Sequence, residues 1–322
     1  MISIESRARG RHPSSQKPLG RGCVKCATAL AVVVCLAIRL AAQQATTFHA
    51  ETRLVVLHVT VTNGHGELVT DLDRGAFNVY EDGRPQPITI FRRDDVPISL
   101  GLIIDNSGSM RPLRASVEAA ALAFVRASNP LDQVFVLNFA DTPHIDVPFT
   151  NDIHVLETGV ARVDSIGGTA MRDAILVADR YLHDHAAHDR RALLVITDGN
   201  DNASTTSAAE LRKVAERSGA AIFAVSLVHE ESPEAGKGDD ELEHLAELTG
   251  GVMHHAAAVS DVNRAVLEIA HQIRNDYTIG YTPVNQSLDG SYRAVKVRVT
   301  RRGGLTARTR PGYWATPLSS FP

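Results

Sequence analysis

Oxygen-bearing side chains occur at alternate positions in the segment Asp105-Asn106-Ser107-Gly108-Ser109. An Asp-x-Ser-x-Ser spacing allows one tight loop to direct three oxygen atoms at a common point, and Gly108 leaves that point uncrowded. Carboxylate, hydroxyl and water oxygens are the ligands that hard cations such as Mg²⁺ and Mn²⁺ prefer. By itself the segment predicts either a cation-binding loop or a loop that caps the following helix.

Two later segments carry further oxygen-bearing side chains that could lie at the same edge of the sheet as the first loop. The segment Ile166-Gly167-Gly168-Thr169 comes before a predicted helix, and Thr197-Asp198-Gly199 follows the apolar run 192–196. Loops that follow parallel strands meet at the carboxyl edge of a sheet, where open α/β folds bind their ligands. Together the three segments favour metal binding over helix capping. The five candidate metal ligands are Asp105, Ser107, Ser109, Thr169 and Asp198.

The elements around these loops alternate between short apolar runs and helical patterns. Runs that are apolar throughout must be buried on both faces, which predicts a doubly wound, mostly parallel α/β sheet with helices on both sides. The predicted strands are 98–104, 134–139, 192–196 and 221–227. The predicted helices lie near 113–128, 152–163, 170–185, 207–218, 240–249 and 260–275.

Strand patterns flank this α/β domain on both sides. Apolar residues alternate with more polar ones over 54–62, and the runs 77–81 and 88–91 flank Asp82-Gly83, a hairpin signal weakened by Pro85 and Pro87. After residue 276, valines alternate with basic residues, and 305–310 could pair back after a Gly-Gly turn. Each segment is short for an independent sheet. We therefore predict that 46–96 and 276–316 pair as one β-sandwich-like module, with 97–275 inserted.

The first 42 residues have the order of a secretory signal peptide. They begin with a basic stretch, continue with the apolar run 27–38 and end with Ala41-Ala42, which predicts cleavage near Ala42. This run of 12 residues is short of the roughly 20 that span a bilayer, although Arg39 leaves an uncleaved anchor as the alternative. The expectation is an exported protein, periplasmic or extracellular, whose mature part contains no membrane span and no cysteine.

Composition narrows the classes of partner. Of 322 residues, 44% are apolar and 22% are charged, which excludes a wholly disordered chain and a multi-pass membrane protein. Beyond residue 42 the chain has 26 basic and 36 acidic residues. So acidic a protein is a poor candidate for binding nucleic acid or an anionic membrane surface. The oligomeric state is open.

The five oxygen ligands resemble the metal-ion-dependent adhesion site of von Willebrand factor type A domains, with all five positions matched over roughly 97–275. The flanks resemble the related proteins found mainly in acidobacteria, at 77–83, 249–251, 277–283 and 311–314. This resemblance implies that Ser107, Ser109 and Thr169 bind Mg²⁺ or Mn²⁺ through hydroxyl oxygens. It implies that Asp105 and Asp198 act mainly through water, and that an Asp or Glu carboxylate of a protein partner completes the coordination.

The preferred interpretation is thus a non-enzymatic binding module for adhesion or protein–protein interaction. One alternative is a Mg²⁺-dependent hydrolase such as a phosphatase, although Ser107 stands where aspartyl-phosphate enzymes have a second aspartate. Another is a cell-envelope assembly factor whose metal is purely structural.

Of four other groups of polar residues, the first two allow two interpretations each. His183, His185 and His188 are either a zinc site or, as favoured here, side chains at a helix C-terminus. Asp173 and Asp201 are either supporting acids of the metal site or exposed surface acids. The sequence favours Asp239, Asp240, Glu241 and Glu243 as the start of a helix whose dipole they complement. His254-His255 is typical of a short strand with the two rings on opposite faces.

Overall fold

The computed structural model describes residues 54–93, 95–161, 166–199, 201–227, 235–301 and 303–316. The predicted signal peptide lies outside the described residues. Among the described helices, none combines the length and apolar character needed to cross a bilayer.

Along the chain, a first group of strands is followed by alternating strands and helices and then by a last group of strands. The strands are β1 (Val55–Thr62), β2 (Phe77–Glu81), β3 (Arg84–Gln86), β4 (Ile88–Arg92), β5 (Ser99–Asp105), β6 (Gln133–Phe139), β7 (Pro143–Thr150), β8 (Arg191–Thr197), β9 (Ala221–Leu227), β10 (Met253–Ala256), β11 (Tyr277–Tyr281), β12 (Tyr292–Val299), β13 (Thr306–Arg308) and β14 (Gly312–Trp314). The helices are α1 (Arg114–Ala127), α2 (Ile153–Val160), α3 (Met171–His185), α4 (Ala208–Arg217), α5 (Ala235–Thr249) and α6 (Val259–Arg274).

A six-stranded sheet in the order β10-β9-β8-β5-β6-β7 forms the centre of the α/β domain. Every residue of the central strand β5 is buried, as an inner parallel strand requires. One apolar cluster packs α1, α2 and α6 on one face of the sheet, and a second packs α3, α4 and α5 on the other. The predicted doubly wound, mostly parallel fold is confirmed.

Strand β7 is the one antiparallel member of this sheet and was not predicted from the sequence. It pairs with β6 at the edge of the sheet, with irregular register. Its pattern contains Pro143, Asp146 and Pro148, and within the strand only Val147 is buried. A half-exposed edge strand therefore gives neither a continuous apolar run nor clear alternation.

The flanking segments form two four-stranded sheets, β13-β1-β11-β4 and β14-β12-β2-β3. Strand β1 pairs with β11 and β2 pairs with β12, both antiparallel, so strands from before and after the α/β domain lie side by side. Their inner faces share one core, to which Leu57, Val79, Ile279 and Tyr281 contribute. The predicted sandwich of paired β segments is confirmed.

Two predicted strand pairings are wrong. The hairpin at Asp82-Gly83 joins β2 to the short β3, whereas β4 lies in the other sheet beside β11. Pro87, which has no N–H to donate, stands where the chain changes sheets. Strand β13 pairs with the end of β1, residues 306–308 opposite 60–62, instead of returning to β12.

Buried polar side chains join β1 to the α/β domain. Thr60 Oγ1 donates to Asp276 Oδ1 at 2.6 Å, and Arg190 Nη2 donates to Asp276 Oδ2 at 3.1 Å. Arg190 also donates to the carbonyl oxygen of Ile273, and Gln272 Nε2 donates to Thr60 Oγ1 at 3.0 Å. This group, called the junction cluster below, fixes the start of β8 and the end of α6 against the sandwich.

His58 lies next to this cluster and is expected to make stability depend on pH. Burial, together with the positive charge of Arg190, lowers the pKa of His58 to about 3. In the unfolded chain the His58 imidazole is protonated below about pH 6.5, whereas in the folded chain it stays neutral down to about pH 3. The free energy of unfolding is therefore at its full value above pH 6.5 and falls as the pH drops toward 3. The expected loss is about 1.4 kcal/mol per pH unit, or about 2 kcal/mol at pH 5.

The measurement is the urea midpoint of the wild type and of His58→Gln between pH 7.5 and 5. The His58→Gln variant should show the shallower fall, because it has no imidazole to titrate. His65→Gln, which changes an exposed histidine of the same module, serves as the control and should follow the wild type. Parallel curves for His58→Gln and the wild type would contradict the assignment.

Candidate functional site

Asp105 ends strand β5 with a buried, fully hydrogen-bonded carboxylate. Oδ1 accepts from the Ser107 amide at 2.8 Å, and Oδ2 accepts from Thr197 Oγ1 at 2.6 Å. Burial raises the pKa of Asp105 to about 7; the nearby charge of Asp198 acts in the same direction, while the Thr197 hydrogen bond opposes it. Asp105 is thus an acid whose charged form is disfavoured by its surroundings and whose orientation is fixed by two hydrogen bonds.

Ser107 and Ser109 present their hydroxyls on the turn that follows. Ser107 is buried and Ser109 is exposed, and their Oγ atoms lie 3.0 Å apart. The Gly108 amide donates to the carbonyl oxygen of Gly167 at 3.2 Å. This bond draws the first candidate loop against the glycine loop that carries Thr169.

The glycine loop is shaped by Asp141, which the sequence did not single out. Gly167 has φ of +104°, a conformation that favours glycine, and a Cβ atom there would collide with the Asp141 carboxylate. Asp141 Oδ1 accepts from the Gly168 amide at 2.7 Å. Thr169 is buried directly after this turn, at the N-terminal end of helix α3.

Asp198 follows strand β8 and is 8% exposed. Its Oδ1 atom is buried and has no hydrogen-bond partner among the residues that the structure describes. A buried carboxylate oxygen without a partner is costly, so an oxygen in this state fits a cation ligand. Two neighbouring carboxylates and three hydroxyls make a donor set suited to Mg²⁺ or Mn²⁺.

Asn202 and Thr197 connect the candidate loops, and the sequence analysis missed both roles. The Thr169 amide donates to Asn202 Oδ1 at 2.9 Å, and the Asn202 amide donates back to the Thr169 carbonyl at 3.0 Å. Thr197 Oγ1 accepts from the Gly199 amide at 3.1 Å while it donates to Asp105. Thr197 had a weak sequence signal, its place beside Asp198; Asn202 had none.

Asp173 and Asp201 order the loop that contains Asn202. Asp201 accepts from the Arg172 amide at 2.8 Å and from Ser204 Oγ at 2.7 Å. Asp173 accepts from the amides of residues 205 and 206, both at 2.9 Å. Of the two interpretations, the structure favours a supporting role, which these acids exert by accepting hydrogen bonds from backbone amides and loop hydroxyls.

The histidines at the end of α3 make separate contacts. His183 Nδ1 lies 3.0 Å from Asp184, His185 Nδ1 lies 3.1 Å from the Tyr181 carbonyl oxygen, and His188 Nε2 lies 3.1 Å from the Leu131 carbonyl oxygen. Over the described part of the chain, no group of three His, Cys, Asp or Glu side chains could hold a metal ion. The zinc interpretation therefore has no support.

The prediction that Asp239 and its acidic neighbours open a helix is wrong, because α5 begins at Ala235. Two glycines among residues 235–238 lower helix propensity and shifted the predicted start. The acids instead make specific contacts. Glu241 accepts two hydrogen bonds of 2.8 Å from the Arg172 guanidinium, and Asp239 accepts one from Ser226.

His254 and His255 lie in β10, as predicted. His254 Nδ1 lies 3.5 Å from Glu268 on α6, and His255 Nδ1 lies 3.7 Å from Asp239 on α5. Since α5 and α6 pack on opposite faces of the sheet, the two rings point to opposite faces.

The fold and the three loops define an α/β domain with a candidate cation site at the carboxyl edge of its sheet. Residues 100–200 match the family model of the von Willebrand factor type A domain. Comparison with curated proteins gives no significant match.

Solved structures with a similar fold include three bacterial proteins. The conserved hypothetical protein BatB from Bacteroides thetaiotaomicron is 17% identical, with a TM-score of 0.42, over 54% of this chain and 99% of that one. The vWF domain of the type V pili tip protein Mfa5 from Porphyromonas gingivalis is 12% identical, with a TM-score of 0.45, over 56% and 95%. A von Willebrand factor type A protein from Catenulispora acidiphila is 13% identical, with a TM-score of 0.49, over 83% and 74%.

Proposed function

We propose that this protein binds Mg²⁺ or Mn²⁺ through Asp105, Ser107, Ser109, Thr169 and Asp198, and through the cation captures an Asp or Glu carboxylate of a protein partner. The observation that carries the proposal is the buried Asp198 Oδ1 without a partner among the described residues, beside the buried carboxylate of Asp105. A cation between these groups would compensate both charges.

The chain's own residues support binding over catalysis. Each Asp105 oxygen accepts one hydrogen bond, from the Ser107 amide or from Thr197 Oγ1, and these bonds fix the orientation of the carboxylate. The Ser107 and Ser109 hydroxyls are paired with each other, and among the described residues neither hydroxyl contacts a histidine that could activate it. When bound, a cation with mostly neutral hydroxyl ligands remains electrophilic and can accept a further carboxylate. Export, argued from the N-terminal segment, belongs to the same proposal.

Mn²⁺ binding followed by water-proton relaxation tests the metal site. The protein is expected to enhance the relaxation effect of Mn²⁺ on titration, because the bound ion tumbles slowly and keeps water ligands. Asp105→Ala and Thr169→Ala should abolish the enhancement. Asp184→Ala, which removes an exposed acid at the end of α3, is the matched control and should behave as the wild type. Unchanged enhancement in both site variants would refute the site.

Capture of a carboxylate is tested by adding a capped Gly-Asp-Gly peptide to the loaded protein. The enhancement should fall, since the peptide carboxylate replaces a water on Mn²⁺. Capped Gly-Asn-Gly, which has the same shape without the charge, should leave it unchanged. Equal responses to the two peptides would reject carboxylate capture and leave a structural cation.

A further inference from the structure

Asp239 lies in the second turn of α5, next to the loop that carries Asp198. Its Oδ1 accepts a hydrogen bond from Ser226 Oγ, near the carboxyl end of β9. The same oxygen lies 2.7 Å from the position that a Cβ atom on residue 199 would take. The Asp239 carboxylate therefore occupies the space beside Gly199 that a side chain would need.

The first turn of α5 packs on the same loop through its backbone. Gly199 has φ of +85°, and its carbonyl oxygen lies so close to Gly238 that a Cβ atom at 238 would overlap it. The Gly199 amide donates to Thr197 Oγ1 at 3.1 Å, and that hydroxyl donates to Asp105 at 2.6 Å. The position of Gly199 therefore affects Asp105 through the hydrogen bonds of Thr197. It affects Asp198 directly, because the two residues are adjacent in the chain.

We propose that Asp239 is a positioning residue for the candidate metal site, which holds the Thr197-Asp198-Gly199 turn so that Asp198 faces the cation. This inference rests on the proposed function. We assign Asp239 a role through Gly199 because its Oδ1, which accepts from Ser226, lies against Gly199, while its Oδ2 is directed toward the β10 side, 3.7 Å from His255 Nδ1. Groups that orient metal ligands from outside the coordination sphere typically contribute 10–100-fold to metal affinity.

The first test compares Mn²⁺ affinities of matched variants of the full chain. Asp239→Ala is expected to bind Mn²⁺ about tenfold more weakly. Asp239→Asn keeps an oxygen acceptor for Ser226 and a similar volume beside Gly199, so its affinity should stay close to that of the wild type. Asp240→Ala removes the exposed neighbouring acid on the same helix and should change nothing. If Asp239→Asn lost as much Mn²⁺ affinity as Asp239→Ala, the negative charge of Asp239 and not its contact with Gly199 would account for the effect, and the proposal would be overturned.

The second test needs no metal and separates this proposal from the proposed function. In chelator, amide hydrogen exchange at Gly199 should accelerate in Asp239→Ala and stay unchanged in Asp239→Asn. Should Asp239→Ala fail to fold, Ser226→Ala, which only frees the carboxylate, should show the same acceleration to a smaller degree. Unchanged exchange at Gly199 would reject the positioning role by itself, whereas a wild type that binds no Mn²⁺ would reject the metal site.

Discussion

Asp276→Ala is expected to lower the free energy of unfolding by about 3–5 kcal/mol, because it leaves the Arg190 guanidinium buried without its counter-charge. Arg190 and Asp276 are each less than 10% exposed, and Asp276 also accepts from Thr60. The loss should appear as a lower urea midpoint with an unchanged slope, if the native surface stays the same.

A double-mutant cycle tests whether the pair itself is responsible. Arg190→Met and Asp276→Ala together should cost clearly less than the sum of the single losses, since removing both charges leaves none uncompensated. The exposed pair Arg301–Asp71 at 2.9 Å lies on the same module and gives the control. Asp71→Ala should leave the midpoint unchanged, because exposed ion pairs contribute little. Additive losses at 190 and 276 would contradict the argument.

The junction cluster also shows why the sequence predicted some parts of the fold and not others. Strand β1 was predicted because Val55, Leu57, Val59 and Val61 alternate with more polar residues, and all four are buried in the sandwich core. Thr60, on the opposite face of the strand, is also buried, because it meets Asp276 across 216 positions of sequence. A contact between residues so far apart in the sequence cannot be predicted from a local pattern of residue types. The crossing of the chain at Pro87 into the other sheet likewise depends on which edges are free in space.

In the candidate site, too, some residues can be recognised from the sequence and others cannot. Asp105, Ser107 and Ser109 share one loop, and the chemistry of that loop can be recognised from residue types and spacing alone. The residues that hold the loops in place, Asp141 and Asn202, act on backbone amides 27 and 33 positions away. These contacts exist only after the sheet has brought its carboxyl ends together. The nature of the cation and of the partner stays a prediction.

Asp198→Asn is expected to change stability in opposite directions with and without metal. In chelator, the buried carboxylate of Asp198 lies beside that of Asp105, and one of its oxygens has no partner among the described residues. Removing that charge relieves the repulsion, so the variant should unfold at higher urea concentration than the wild type. With Mg²⁺ at about 100 times its dissociation constant, the wild type should gain about 2.7 kcal/mol, and the variant much less.

The four urea midpoints, for two proteins with Mg²⁺ and with chelator, decide between a metal site and a purely structural carboxylate. Asp184→Asn, an exposed acid at the end of α3, should leave all midpoints unchanged and excludes a general effect of net charge. A variant less stable than the wild type in chelator would mean that Asp198 holds the loop by itself. Burial and the nearby Asp198 disfavour the charged form of Asp105 in the metal-free protein, and a bound cation that compensates both acids would give the physical reason for placing them together.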